Sequence, residues 1–385
     1  MSRRVGIVAV AQTKYEKKPG MHLQDVAFEP VRQVLEKTDL KFADDGTGID
    51  STISCSQDHW DGWIISDKHV VDGAGGHLRS EEKVAEDGAY ALYYAALTIL
   101  GGHDDCVLVV AHTKESQVDG RVIENSGLEP LYSRMLGLDF TSCAALQATQ
   151  YMHAYGITPE QCAQVVVKNR ANAMHNPCAQ APEILTVADV LGSPMLSNPI
   201  TLLDAKPVSD GACALILATE DKAKNWTDKP VWIEGIGCCY DRHYPGYRDL
   251  TDPLSLREAA KRSYQMAGIK NPRKEIDLVE LSEYYSYQEL LWSEGLGLCE
   301  RGGGGRLVES GATRIGGDIP VNPSGGLLSG VPVNVAGLNR AVEAALQLRD
   351  EAGKRQVHAA ETAVIHGTGG VCGQMHCVIN LRRES

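Results

Sequence analysis

The chain has 385 residues, a net charge of −13 and a 43% hydrophobic composition that includes only three phenylalanines. This length allows two domains, or one duplicated unit with an insertion. The acidic balance, with no basic patch, argues against nucleic acid as a partner, and no apolar stretch reaches the length of a membrane span.

The chain opens on the strand-like run Val5–Val10, which leaves no room for a signal peptide. An amphipathic helix is predicted over about His22 to Thr38, with Val26, Ala27, Val31, Val34 and Leu35 on one face. The polar and aromatic loop Asp58-His59-Trp60-Asp61-Gly62 follows, then the flexible Gly73-Ala74-Gly75-Gly76. From Gly88 to Leu100 nearly every residue is apolar or small. A helix apolar all round belongs inside a domain, and Gly101-Gly102 ends it. Cys106 to Ala111 reads as a strand covered on both faces. Strand, helix, strand, helix, strand predicts a layered parallel sheet.

From His112 to about Lys229 the chain becomes longer-looped and more polar, with a helix starting at Thr158-Pro159-Glu160 and a return strand at Ala212–Ala218. It reads as an insertion that covers the sheet edge and carries a binding site. From Val231 the opening scheme repeats: strand to Ile236, helix Leu256–Ala267, strand Asp277–Leu281, helices Tyr287–Leu296 and Gly337–Leu348, and a final strand Thr362–Ile365. The fold class is therefore α/β with duplicated βαβαβ halves, divided as 1–120, 121–230 and 231–385. Eleven cysteines, odd in number and lacking any CxxC pair, fit small core residues in a reducing cytoplasm. His59, His77, His112 and His153 show no metal-binding spacing.

Several strings stand in a telling order: Asp87-Gly88 before the central helix; Asn169-Arg170 with Asn172 and Asn176-Pro177; Ser209-Asp210-Gly211-Ala212; Glu280-Leu281-Ser282-Glu283 with Glu289-Leu290; Leu296-Gly297-Leu298-Cys299; Val321-Asn322-Pro323-Ser324-Gly325-Gly326; and Gly367-Thr368-Gly369-Gly370. Nearly end to end this resembles the thiolase superfamily, specifically its sterol-carrier-protein-type branch and the thiolase-like aldolases. The resemblance implies a five-layered αβαβα thiolase fold with a loop domain between its halves. It also implies a homodimer, coenzyme A as substrate or product and no metal in this chain. A small OB-fold and zinc-ribbon partner subunit, giving a heterotetramer, follows from the same resemblance.

The chemistry departs from the family. Ala85 stands at the nucleophilic Cys, Ser282 at the His of the His-Asp string, Val331 at the His of Gly-His-Pro, and Gly367 at the last catalytic position. Alanine cannot form an acyl-enzyme. Retro-aldol cleavage of a β-hydroxyacyl-CoA, or thiolysis of a β-ketoacyl-CoA without a covalent stage, is the expected reaction. The alternative is a catalytically silent acyl-CoA-binding or scaffold subunit. Glu86 and Asp87 are either the helix cap or an acid–base pair at a buried positive helix end. Glu283, Tyr285 and His366 are further candidates for proton transfer. Cys143 and Cys372 could approach the substrate or simply fill the core. For coenzyme A, Lys206, Ser209 and Gly367 are candidate contacts, with Ser324, Gly325 and Gly326 shaping the cleft.

Overall fold

The computed structural model describes residues 3–18, 20–42 and 47–384; Met1 and Ser2, ahead of the first strand, lie outside them. The first half runs β1 (Val5–Gln12), α1 (Leu23–Thr38), β2 (Ser51–Cys55), α2 (Asp67–Ala74), β3 (Ser80–Val84), α3 (Gly88–Leu100) and β4 (Cys106–Lys114). An excursion then carries α4 (Phe140–Tyr155) and α5 (Pro159–Ala173), and β5 (Asp210–Thr219) returns to the sheet. The second half runs β6 (Val231–Tyr240), α6 (Leu254–Ala267), β7 (Leu278–Leu281), α7 (Ser286–Gly295), α8 (Ala336–Leu348), β8 (Thr362–Gly369) and β9 (Met375–Arg383).

The strands lie in the order β3-β2-β4-β5-β1-β6-β9-β8-β7. Outward from the β1–β6 join, and leaving out the edge strand β3, one half reads first, last, third and second strand (β1-β5-β4-β2). The other reads the same way as β6-β9-β8-β7. Even β3 has a counterpart, because Val321 bridges Val279 of β7 in parallel as β3 pairs β2. The duplication inferred from element order is thus repeated in the topology.

Two features differ from the sequence reading. The sheet is mixed: only β2–β3, β2–β4 and β7–β8 are parallel, while β1 is antiparallel to both β5 and β6. The chain also does not end its sheet at Ile365. It turns after Gly369 and runs back as β9, an antiparallel hairpin partner that needs only a short connection.

Helices α3 and α8 pack on each other, and each touches strands of both halves. They form the middle layer, with α1 outside the first half-sheet and α6 outside the second. Close approach depends on small residues: a Cβ on Gly88 would sit 2.6 Å from Leu338 Cβ. Ala89, Ala91, Ala95 and Ala96 are fully buried, yet Tyr94 and Leu97 are each 40% exposed. One edge of the apolar helix therefore reaches the surface. The excursion packs over the β7 edge of the sheet, where Val279 and Leu281 share its core cluster and Lys168 donates to the Val321 carbonyl at 2.5 Å. Ala144, Ala148 and Tyr151 of α4, and Val165 and Val166 of α5, meet Leu290 and Trp292 of α7, so it covers the outer helices of the second half.

Candidate active site

The N-termini of α3 and α8 meet at Asp87. As N-cap of α3 its carboxylate accepts the Ala89 amide at 2.9 Å, and its second oxygen accepts the Gly337 amide of α8 at 2.9 Å. One side chain caps both central helices, where two positive dipole ends converge. Missing side chains make the space, since a Cβ at Gly337 or at Gly367 would overlap the Asp87 carboxylate. Gly367 therefore faces Asp87 and is not among the residues of the cavity wall. Burial pushes Asp87 up to about 7, although both amides and Arg340 pull the other way.

A cavity of about 600 Å³ has Glu86, Asp87, Glu115, Tyr284 and Asn334 in its wall. No donor among the described residues bonds the Glu86 carboxylate, and burial pushes it up to about 7. Two neighbours with the same acidity thus differ in availability. Asp87 has both oxygens committed, whereas Glu86 is free to act on a bound molecule.

Thiols are present but unready. Cys55 lies beneath the site, its Sγ within 3.5 Å of the Glu86 carbonyl, and burial holds its pKa well above the ordinary thiol value. Cys372 is the cysteine in the cavity wall; its Sγ donates to the Cys143 carbonyl at 3.2 Å. Burial pushes Cys372 up to about 12 and Cys143 up to about 11. Neither is a thiolate near neutral pH, and the thiolate is the nucleophile.

Lys206 lines the cavity, but its ammonium is held by both Glu115 oxygens at 2.7 and 2.8 Å. Glu115 also accepts the Ser209 amide at 3.0 Å and the Val333 amide at 2.6 Å. Arg170 is the less committed cation of the wall. One of its nitrogens donates to the Ala181 carbonyl at 3.1 Å, while its Nε has no hydrogen-bond partner among the described residues. Glu124, Thr141 and Tyr285 complete another part of the wall. Burial and then Glu124 raise the Tyr285 phenol, which keeps it neutral.

The other candidates lie behind the wall. Alternation along β8 turns His366 to the face opposite Gly367. There its Nδ1 accepts the Ser282 amide at 3.4 Å, its Nε2 meets His376 Nδ1 at 2.8 Å, and burial lowers it to about 3. Glu283 is fully buried; Asn169 donates to it at 3.0 Å, Asn322 at 2.8 Å and the Leu328 amide at 3.2 Å. Burial and then Glu289 push it up to about 8. Ser324 binds Glu280 through its amide at 2.9 Å and its hydroxyl at 2.7 Å. Gly325 closes on Ala173 and Asn169, and a Cβ at Gly326 would overlap Glu283. The structure thus brings Glu86, Asp87, Tyr285 and Lys206 to one cavity and leaves Glu283, His366, Cys143, Ser209, Ser324, Gly325, Gly326 and Gly367 out of its wall. Glu115 was missed in the sequence. Its signal was a charged residue directly after a fully buried strand, the end of an α/β strand where ligands gather.

The repeated halves, the buried helix pair and the cavity beside its N-termini define a thiolase-type fold. Residues 238–382 match the thiolase C-terminal domain-like family. The chain is 35% identical to the acetyl-CoA acetyltransferase of Methanothermobacter thermautotrophicus, over 96% of this chain and 97% of that protein. It is 30% identical to sterol carrier protein 2 of Bos taurus, over 96% of this chain and 70% of that protein. Its fold matches the structure described as the Ltp2-ChsH2(DUF35) aldolase with a TM-score of 0.84 at 22% identity, covering 98% and 97% of the two chains. The chain belongs to the thiolase superfamily of enzymes, among the relatives of the sterol-carrier-protein-type thiolases. Among the described residues no helix is long and apolar enough to cross a membrane, and no group of three or more His, Cys, Asp or Glu could hold a metal ion.

Proposed function

We propose that this enzyme breaks or makes a carbon–carbon bond in a coenzyme A thioester without an acyl-cysteine, and that retro-aldol cleavage of a β-hydroxyacyl-CoA suits the site best. One observation carries the reading: Glu86 offers an unbonded carboxylate of neutral acidity in the cavity wall, where no thiolate stands. Glu86 takes the β-hydroxyl proton. The O–H electron pair becomes the new carbonyl bond, the Cα–Cβ bond breaks, and its electrons pass to the thioester enolate. The positive ends of α3 and α8 favour that developing charge. The proton then returns to Cα, leaving a carbonyl compound and a shortened acyl-CoA. A group titrating near the working pH serves both proton steps.

Direct thiolysis of a β-ketoacyl-CoA is the second reading, favoured by the 35% identity to a protein named acetyl-CoA acetyltransferase. In either case Arg170 is the cation best placed to meet coenzyme A phosphates, because Lys206 is neutralised by Glu115. A homodimer is part of the proposal, supported by the exposed Tyr94 and Leu97 and by the sheet-edge position of β3. So is a small OB-fold and zinc-ribbon partner subunit, supported by the two-part name of the Ltp2-ChsH2(DUF35) aldolase. The test is turnover of β-hydroxyacyl- and β-ketoacyl-CoA panels by the chain, with and without such a partner. Release of a carbonyl compound from the hydroxy series is expected. Binding of every thioester without turnover of any supports the silent-subunit alternative instead.

A further inference from the structure

Glu124, Thr141 and Tyr285 share a part of the cavity wall that the proposed bond cleavage leaves unused. They come from separate segments: Glu124 from the short helix Gly120–Ser126, Thr141 from the first turn of α4, and Tyr285 from the N-cap of α7. Trp60, Val118, Phe140 and Ala144 add apolar surface to the wall, beside the charged Asp119 and Arg121. Among the described residues Glu124 accepts only the Phe140 amide, at 3.2 Å, so one carboxylate oxygen has no donor there. The Thr141 and Tyr285 hydroxyls stand 2.9 Å apart. One donates to the other, which leaves one O–H of the pair free to donate elsewhere. Glu124 is near enough to be the strongest charge acting on the Tyr285 phenol.

A free acceptor beside a free donor is the complement of a hydroxyl, which gives one hydrogen bond and takes another. A methylene in that place would leave the second Glu124 oxygen without a donor, which costs about 1–3 kcal/mol for a buried polar group. A carboxylate would meet Glu124 where the two nearby cations are already paired, Arg121 with Asp139 at 3.0 Å and Lys206 with Glu115 at 2.7 Å. We propose that Glu124, Thr141 and Tyr285 receive a hydroxyl carried on the acyl group beyond its β-carbon. The preferred substrates are then hydroxylated, uncharged acyl-CoA thioesters, not plain hydrocarbon or dicarboxylic ones. The proposal rests on the coenzyme A thioester reading above and names the acyl class for that same site.

Isothermal titration with thioesters that carry no β-oxygen separates the two. The probes are 3-phenylpropionyl-CoA, its 2-, 3- and 4-hydroxyphenyl counterparts, and the 4-carboxyphenyl counterpart. At least one hydroxyphenyl compound is expected to bind tenfold or more tightly than the parent, and the carboxyphenyl compound more weakly than the parent. Glu124→Ala and Tyr285→Phe each reduce the hydroxyl advantage to under threefold. Glu124→Gln, which keeps the shape and removes the charge, relieves the carboxyphenyl penalty; matching circular dichroism melts exclude unfolding. Binding of the parent with no isomer preferred, tightest binding by the carboxyphenyl compound, or a hydroxyl advantage that survives both substitutions overturns the proposal alone. No binding by any thioester overturns the coenzyme A reading and this proposal with it.

Discussion

Glu86 and Asp87 are adjacent carboxylates, each pushed up to about 7 by burial, and hydrogen bonding separates their roles. Because Glu86 works as a base when ionised, kcat/KM should climb about tenfold per pH unit below 7 and level off above it. Glu86→Gln should lower kcat by about a hundredfold or more and abolish that limb while leaving the melting temperature nearly unchanged. Full turnover by this variant would remove Glu86 from the mechanism. The reverse experiment tests the lost nucleophile. Ala85→Cys should yield no acyl-enzyme by intact-protein mass spectrometry after incubation with an acyl-CoA. A thiol there stands next in sequence to the Glu86 carboxylate, which opposes ionisation.

At the scale of elements, stability rests on how α3, α8 and β8 meet. Asp87→Ala strips the caps from two helices at once and should destabilise by about 2–4 kcal/mol in urea unfolding. Gly367→Ala should cost about 1–3 kcal/mol through overpacking, and the double variant less than the sum, because the carboxylate that the new methyl strikes is then gone. A second network joins β7, α7 and the Asn322 turn through Glu283. Its carboxyl titrates at about 8 in the folded protein, above its ordinary value near 4.3. Between those limits the folded state holds a proton that the unfolded state has released, so stability from this group is full below about 4.3 and falls as pH rises. Glu283→Gln should therefore remove about 1.4 kcal/mol per pH unit of slope between pH 5 and 7, whatever constant offset the substitution brings. Identical slopes in the two proteins would show that Glu283 is ionised in the fold.

Across the whole molecule, Tyr94 and Leu97 are the exposed part of an otherwise buried helix. Leu97→Glu should shift the sedimentation coefficient from that of a dimer to that of a monomer; a monomeric parent chain would dispose of the expectation. Much of this architecture is legible in the chain, because apolar runs such as Gly88–Leu100 and Cys106–Ala111 leave few places to go. β9 was missed for the opposite reason. Its His376 and Asn380 look like surface residues, yet both are fully buried, where His376 Nδ1 meets His366 and the Asn380 amide donates to Ser263, 117 residues away in sequence. The site is legible only in part. Glu86 and Asp87 stand out at a helix start, and strand alternation alone separates Gly367 from His366. Glu115 and Glu124 acquire meaning only from Lys206, Phe140 and Tyr285, which tertiary folding brings to them.

The interlock of Asp87 with two side-chain-free positions also acts as a ratchet on the lineage. Any side chain introduced at 367 would collide with the shared carboxylate, and losing that carboxylate first would strand the amides of two buried helices. A side chain at 367 is therefore accepted only as the Asp87 carboxylate goes, so the two positions should change as a pair.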